Sequence, residues 1–227
     1  MTRFLILLLA IGIPLLKTQP TLLAFQGAGS DTDRGVFRIQ SDGQPIGTER
    51  FEITPSGDGL RVTGELNLNV SGVGRMTETS TLALRGGVEP VNYERVQKSP
   101  KRQSILVTFD GKKADAQYRT AEAGNQQIEF FVPRDVVVLD TNFFHHYTFL
   151  VRRYDFLTGG RQHVNILIPQ EATPGMISLE YAGADQSLRK LVARTDELEI
   201  EIWADEAGRV MKLNVPAAKV EVVRETR

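Results

Sequence analysis

Side-chain chemistry is most concentrated in one octet, Asp140-Thr141-Asn142-Phe143-Phe144-His145-His146-Tyr147, which packs aromatic rings, imidazoles and capping side chains together. His145, His146 and His163 are the only histidines in the chain, and imidazole is both a frequent metal ligand and a proton carrier near neutral pH. Neighbouring residues on a helix diverge by about 100°. His145 and His146 are therefore not placed to grip one ion, and they are expected as exposed or capping residues with no metal site.

Nucleophilic chemistry has little to build on. The chain has no cysteine and no Gly-x-Ser-x-Gly elbow, and Ser71 and Ser80 sit among alternating residues without an adjacent base. Glu199 and Glu201 share one strand face, about 7 Å apart by strand rise. That spacing resembles a glycosidase pair, yet charged outer faces are also how sheets stay in solution. Gly72-Val73-Gly74 and Gly159-Gly160 lack the Lys-Ser/Thr and the strand-to-helix setting of a phosphate loop. Lys98-Ser99-Pro100-Lys101-Arg102 reads as a solvated basic turn. The expectation is a non-enzymatic protein with no catalytic residues and no cofactor.

The elements that must position these groups are mostly extended. Leu60, Val62, Gly64, Leu66, Leu68 and Val70 alternate with Arg61, Thr63, Glu65, Asn67 and Asn69, a period of two that a strand needs when one face is dry and the other wet. The pattern continues over 75–84, with Thr77, Thr79 and Thr81 on one face and Met76, Leu82 and Leu84 on the other. Strands are also predicted at 35–40, 46–53, 91–97, 104–109, 114–119 and 127–132, with a tight hairpin at Asp42-Gly43. After Pro133, Phe143, Tyr147, Leu150 and Tyr154 recur at helical spacing, which predicts an amphipathic helix near 142–155, capped by Asp140-Thr141-Asn142 and ended by Thr158-Gly159-Gly160. Further strands are predicted at 163–168, 176–182, 188–195, 197–204, 209–215 and 219–223. The fold class is mainly β: a curved antiparallel sheet, a half-barrel or open barrel, with one amphipathic helix packed against it.

Residues 1–28 read as a signal peptide, leaving 29–227 as a single domain. Arg3 supplies a positive start, and 4–16 is an apolar run too short to span a bilayer, which takes about 20 residues. The second apolar patch, Leu22-Leu23-Ala24-Phe25, keeps an uncleaved membrane anchor as the alternative. A chain without cysteine has no disulfides and no lipid-bearing thiol, so a periplasmic or otherwise exported product that is not a lipoprotein is expected. The formal net charge of −1 gives no basic excess for nucleic acid or an anionic membrane surface.

Gly35-Val36-Phe37-Arg38-Ile39, the stretch from Gly43 to Phe51, and the closing hairpin with Asp205, Gly208-Arg209-Val210 and Lys212 resemble uncharacterised bacterial envelope proteins built as curved half-barrels. These are similar in architecture to the lipoprotein-localisation-factor superfamily, whose members show more helix than this chain. The resemblance covers most of 35–223 and implies a concave sheet able to hold an acyl chain. Phe143, Phe144, Tyr147, Leu150 and Tyr154 are then the candidate lining of an apolar cavity, for a lipid or other hydrophobic small molecule. The alternative is a structural or protein-interaction module of the envelope with a packed interior. A large dry pocket beneath the helix favours the first, and a filled interior favours the second.

Overall fold

The computed structural model describes residues 32–225 except 71, 73 and 123. The leader expected over 1–28, and Ser71, lie outside the described residues. Among those residues, eight strands run in sequence: β1 Asp33–Ser41, β2 Gln44–Ser56, β3 Gly59–Val70, β4 Gly74–Arg85, β5 Glu89–Ser99, β6 Gln103–Asp110, β7 Lys113–Thr120 and β8 Gly124–Phe131. A short β9, Val137–Val138, precedes a 3₁₀ turn at Phe144–His146 and α1, Tyr147–Arg153, the single α-helix among the described residues. The chain then returns as β10 Arg161–Ile168, β11 Thr173–Asp185, β12 Leu188–Arg194, β13 Glu199–Ala204, β14 Val210–Val215 and β15 Val220–Arg224.

All these strands form one 15-stranded sheet in the order β8 to β1, then β15 down to β9. Two meanders, β1–β8 and β9–β15, are thus zipped together where β1 pairs antiparallel with β15, Ile39 opposite Val222. Because β8 and β9 are the two ends, the sheet stays open. Every pairing is antiparallel except β9 with β10, which is parallel. The alternation read from the sequence sets the register: Ile53, Val62, Leu82, Tyr93, Val107 and Ala116 line up across six strands, and all are buried. Each large apolar side chain removed from water contributes roughly 1.5–3 kcal/mol, so such rows carry most of the stability of a chain without disulfides. The Asp42-Gly43 hairpin forms as expected, both residues at positive φ of 52° and 74°, the geometry a two-residue turn requires.

The predicted helix is shorter than 142–155. Phe143 is extended, and Asp140, Thr141 and Asn142 supply no side-chain cap. Instead Asp140 Oδ1 accepts the Asn142 N–H at 2.8 Å, forming a local turn. The first free N–H groups, of Phe144 and His145, are taken at 2.8 and 3.3 Å by Glu49, reaching across from β2. Phe143, Leu150 and Tyr154 are buried as their spacing implied, but so are Thr148, Phe149 and Val151. The stretch is therefore enclosed by the sheet, joining one core cluster that draws on both meanders. Among the described residues no helix is long and apolar enough to cross a membrane.

Candidate functional site: a buried polar cluster and an outer groove

The inner segment from Val132 to Phe156 brings the predicted site residues together. Phe143, Leu150 and Tyr154 are core, while Phe144 and Tyr147 are half-buried and pack against it. They do not line an open chamber. The cavity between α1 and the sheet, walled by Leu82, Leu84, Val137 and Phe149, measures about 20 Å³, too small for an acyl chain. Tyr154 is fixed by its hydroxyl, which donates to the Gly160 carbonyl at 2.7 Å and accepts the Tyr181 N–H at 3.2 Å.

His145 and His146 are fully buried, not exposed or capping as the sequence suggested. They fall in a 3₁₀ turn rather than on an α-helix, and their rings meet edge-on with centroids 4.5 Å apart. The His145 ring also stacks on Phe51. Its Nδ1 contacts the Glu49 carboxyl, and the His146 Nδ1 donates to the Val138 carbonyl at 3.0 Å. Burial raises the Glu49 carboxyl to about 8, against the lowering effect of the Phe144 and His145 N–H groups. Burial also lowers both imidazoles to about 3, with Asp140 opposing the shift in each. The contact has the geometry of an ion pair, but both shifts run towards the uncharged form. At neutral pH, Glu49 and His145 are thus a neutral pair sharing a proton.

Five further side chains complete the cluster. Arg95 on β5 binds Glu78 on β4 in a bidentate pair, at 2.9 and 2.5 Å. Burial pulls the guanidinium pKa down, but the bonds and charge of Glu78 outweigh it and the net direction is upward. Tyr93 donates to Asp140, and burial followed by that carboxylate pushes the phenol well above its usual range. Asn142 reaches Glu78 at 3.4 Å. Within this cluster three buried side-chain atoms lack a hydrogen-bond partner: Ser80 Oγ, His145 Nε2 and His146 Nε2. Glu49, His145 and Ser80 have the composition of a hydrolase triad, yet no hydrogen bond joins the serine to the imidazole, which a nucleophile and its base require. Among the described residues no group of three or more metal-ligating side chains is placed to hold an ion.

The alternation itself signals this cluster. Glu49 stands in step with inward Phe51 and Ile53, Glu78 and Ser80 with Leu82 and Leu84, and Arg95 with Tyr93. Charge at a position where the pattern demands an apolar residue marks a buried polar group. Elsewhere the bland expectations fit. Glu199 is exposed and binds Arg194 at 2.7 Å, while Glu201 binds Lys190 at 2.6 Å and Asn214 at 2.7 Å. Lys101 of the basic turn pairs with Glu122, and His163 lies exposed on β10, away from the other histidines.

The large cavity is elsewhere. An open groove of about 1000 Å³ crosses β1–β4 and the ends of β14 and β15. Arg34, Val36, Arg50, Glu52, Thr63, Glu65, Thr79 and Thr81 line it, alternating with Gly35, Phe51, Gly64 and Ser80. It therefore lies on the face turned away from the core. Its charges are mixed, with Arg34 opposite Glu52 and Arg50 opposite Glu65 across adjacent strands.

Fold and site together define an open, barrel-like β domain with a filled interior. No protein-family model matches the chain, and no curated protein matches it. Its fold is similar to a crystal structure of a beta-barrel-like protein of the domain of unknown function DUF1849 from Brucella abortus, with a TM-score of 0.54 over 85% of this chain and 94% of that one, at 7% identity. A likeness at that identity concerns the fold alone.

Proposed function

We propose that the chain is a non-enzymatic, exported module of the bacterial envelope that works by docking a partner protein on its sheet. The contrast of cavities carries this reading: about 20 Å³ beneath α1, against about 1000 Å³ on the outer face. Threonines and cross-strand pairs of opposite charge suit the polar surface of a polypeptide better than an acyl chain. Photo-cross-linking from Thr63 or Thr79 in the intact envelope tests it. One dominant protein adduct is expected, and a scatter of random neighbours defeats it.

A second reading, an apolar-ligand carrier of the kind implied by the likeness to lipoprotein-localisation factors, draws on one observation. The inner segment is held partly by buried imidazoles whose Nε2 atoms have no partner, and a half-satisfied polar set weakens its own seat. In this reading a lipid or acyl chain displaces Phe143, Phe144, Tyr147, Leu150 and Tyr154 and takes their place. Extraction and mass spectrometry of protein purified from its own envelope decide it: a stoichiometric lipid supports displacement, and repeatedly empty protein ends it.

A further inference from the structure

The two ends of the sheet are finished differently. β9 is two residues long and both are buried, one of the ways proteins blunt a sheet edge. β8 is eight residues long, and all but Phe130 are exposed. Half the N–H and C=O groups of such a strand point outward from the sheet with no neighbour to receive them. The usual protections are sparse here, since β8 holds no proline and no lysine and its only charge, Glu129, is already paired with Lys113 at 3.1 Å.

The apolar row also stops short. Tyr93, Val107, Ala116 and Ile128 stand in register across β5–β8, yet Ile128 is 37% exposed because no strand lies beyond it. Phe131, near the same corner, is 74% exposed.

We propose that β8 pairs antiparallel with β8 of a second copy of this chain, about a two-fold axis through Ile128. Charge selects against an axis through Glu129, which sets two carboxylates face to face, and an axis through Gln127 sets Ile128 opposite Gln126 and breaks the apolar row. The axis through Ile128 places Glu129 opposite Gln127 of the second copy, so no like charges meet. It also sets the two Ile128 side chains against each other, carrying the apolar row on into the second copy. An isologous contact of this kind closes on itself and stops at two chains. The groove on β1–β4 is remote from β8 and stays open, so the inference stands independently of the docking reading above. A strand-edge contact is smaller than the standard interface of about 1,200–2,000 Å², so the dimer depends on concentration.

Analytical ultracentrifugation of the full chain across a concentration series tests this, with a rise from monomer to dimer mass expected. Ile128→Lys puts two ammonium groups on the axis and is expected to weaken the dimer at least tenfold, while its circular dichroism matches the parent. The chain has no cysteine, so Ile128→Cys offers a second readout: oxidation is expected to cross-link it to a dimer, whereas Asn125→Cys stays monomeric. A parent chain monomeric at every concentration, a dimer indifferent to Ile128→Lys, or equal cross-linking at both cysteine positions overturns the proposal, whatever other proteins the strand captures.

Discussion

Both meanders bury a continuous aliphatic face, yet buried charge is confined to one of them. Asp33, Glu49, Glu78 and Arg95 lie on β1–β5, and Asp140, His145 and His146 on the inner segment they hold, whereas none of the buried polar residues lies on β10–β14. There the inner face is Val164, Ile166, Leu179, Leu191, Ile202 and Leu213. The inner segment is thus fastened to the first meander by buried charged and imidazole groups, and to the second by backbone pairing of β9 with β10, the Tyr154–Tyr181 bond and apolar packing. Directional bonds fix one arrangement, and their loss leaves an uncompensated group in a dry interior. Shape tolerates repacking at lower cost.

The sharpest way to break that contrast is Glu78→Ala, which strands the Arg95 guanidinium in the core. Urea unfolding is expected to show a loss of about 3–5 kcal/mol, while the double variant Glu78→Met with Arg95→Leu recovers most of it. Recovery that fails would mean the pair does more than neutralise itself. On the apolar side, Leu179→Ala is expected to cost about 2–5 kcal/mol, and the loss should be the same at every pH.

The pH dependence of stability separates the sides further. Glu49 holds its proton in the folded chain up to about 8, well above its ordinary 4.5, so its contribution is lost as pH rises through that window. His145 and His146 stay neutral down to about 3, against an ordinary 6.5, so stability is lost as pH falls through theirs, where the two histidines outweigh the single carboxyl. The maximum is expected near pH 6.5, with a decline on the order of 2 kcal/mol towards pH 8. Glu49→Gln should flatten that alkaline arm in equilibrium unfolding across pH, and an unchanged arm would place the titration elsewhere.

The smallest effects come from a matched pair of glycines. A methyl on Gly64 of β3 would meet His145 Cε1 and Phe143 Cδ1, both at 2.7 Å, while one on Gly175 of β11 meets only Ile166 Cγ1 at 4.0 Å. Gly64→Ala is expected to cost about 1–3 kcal/mol, and Gly175→Ala to be neutral or to stabilise by up to about 1 kcal/mol. Thermal melts of the two variants side by side check the difference.

Legibility in the sequence follows the same division. Where side chains alternate strictly, as from Leu60 to Val70, strand, register and buried face could all be read, because period two admits no other solution. The inner segment resisted reading. Val136 to Leu139 is an apolar run without periodicity, and β9 within it is too short to leave a signature. The helix is shorter than its spacing predicts because Phe143 fits a helical period while its backbone is extended. Burial of the histidines is hidden because the carboxyl partner of His145, Glu49, lies 96 residues away, and no local pattern announces a cap supplied from another strand. A concave sheet is legible from its strands, but whether it is hollow depends on how its own chain fills it.

The pairing of β1 with β15 has a consequence for how the chain must be assembled. The first meander can zip by local hairpins, each closing a short loop, but the seam joins Arg38 to Glu225 across 187 positions. Such a distant closure is slow relative to hairpin formation. Until the final strand arrives, β1 is itself a bare border, so any partner that shields it before then would govern whether the two meanders find each other.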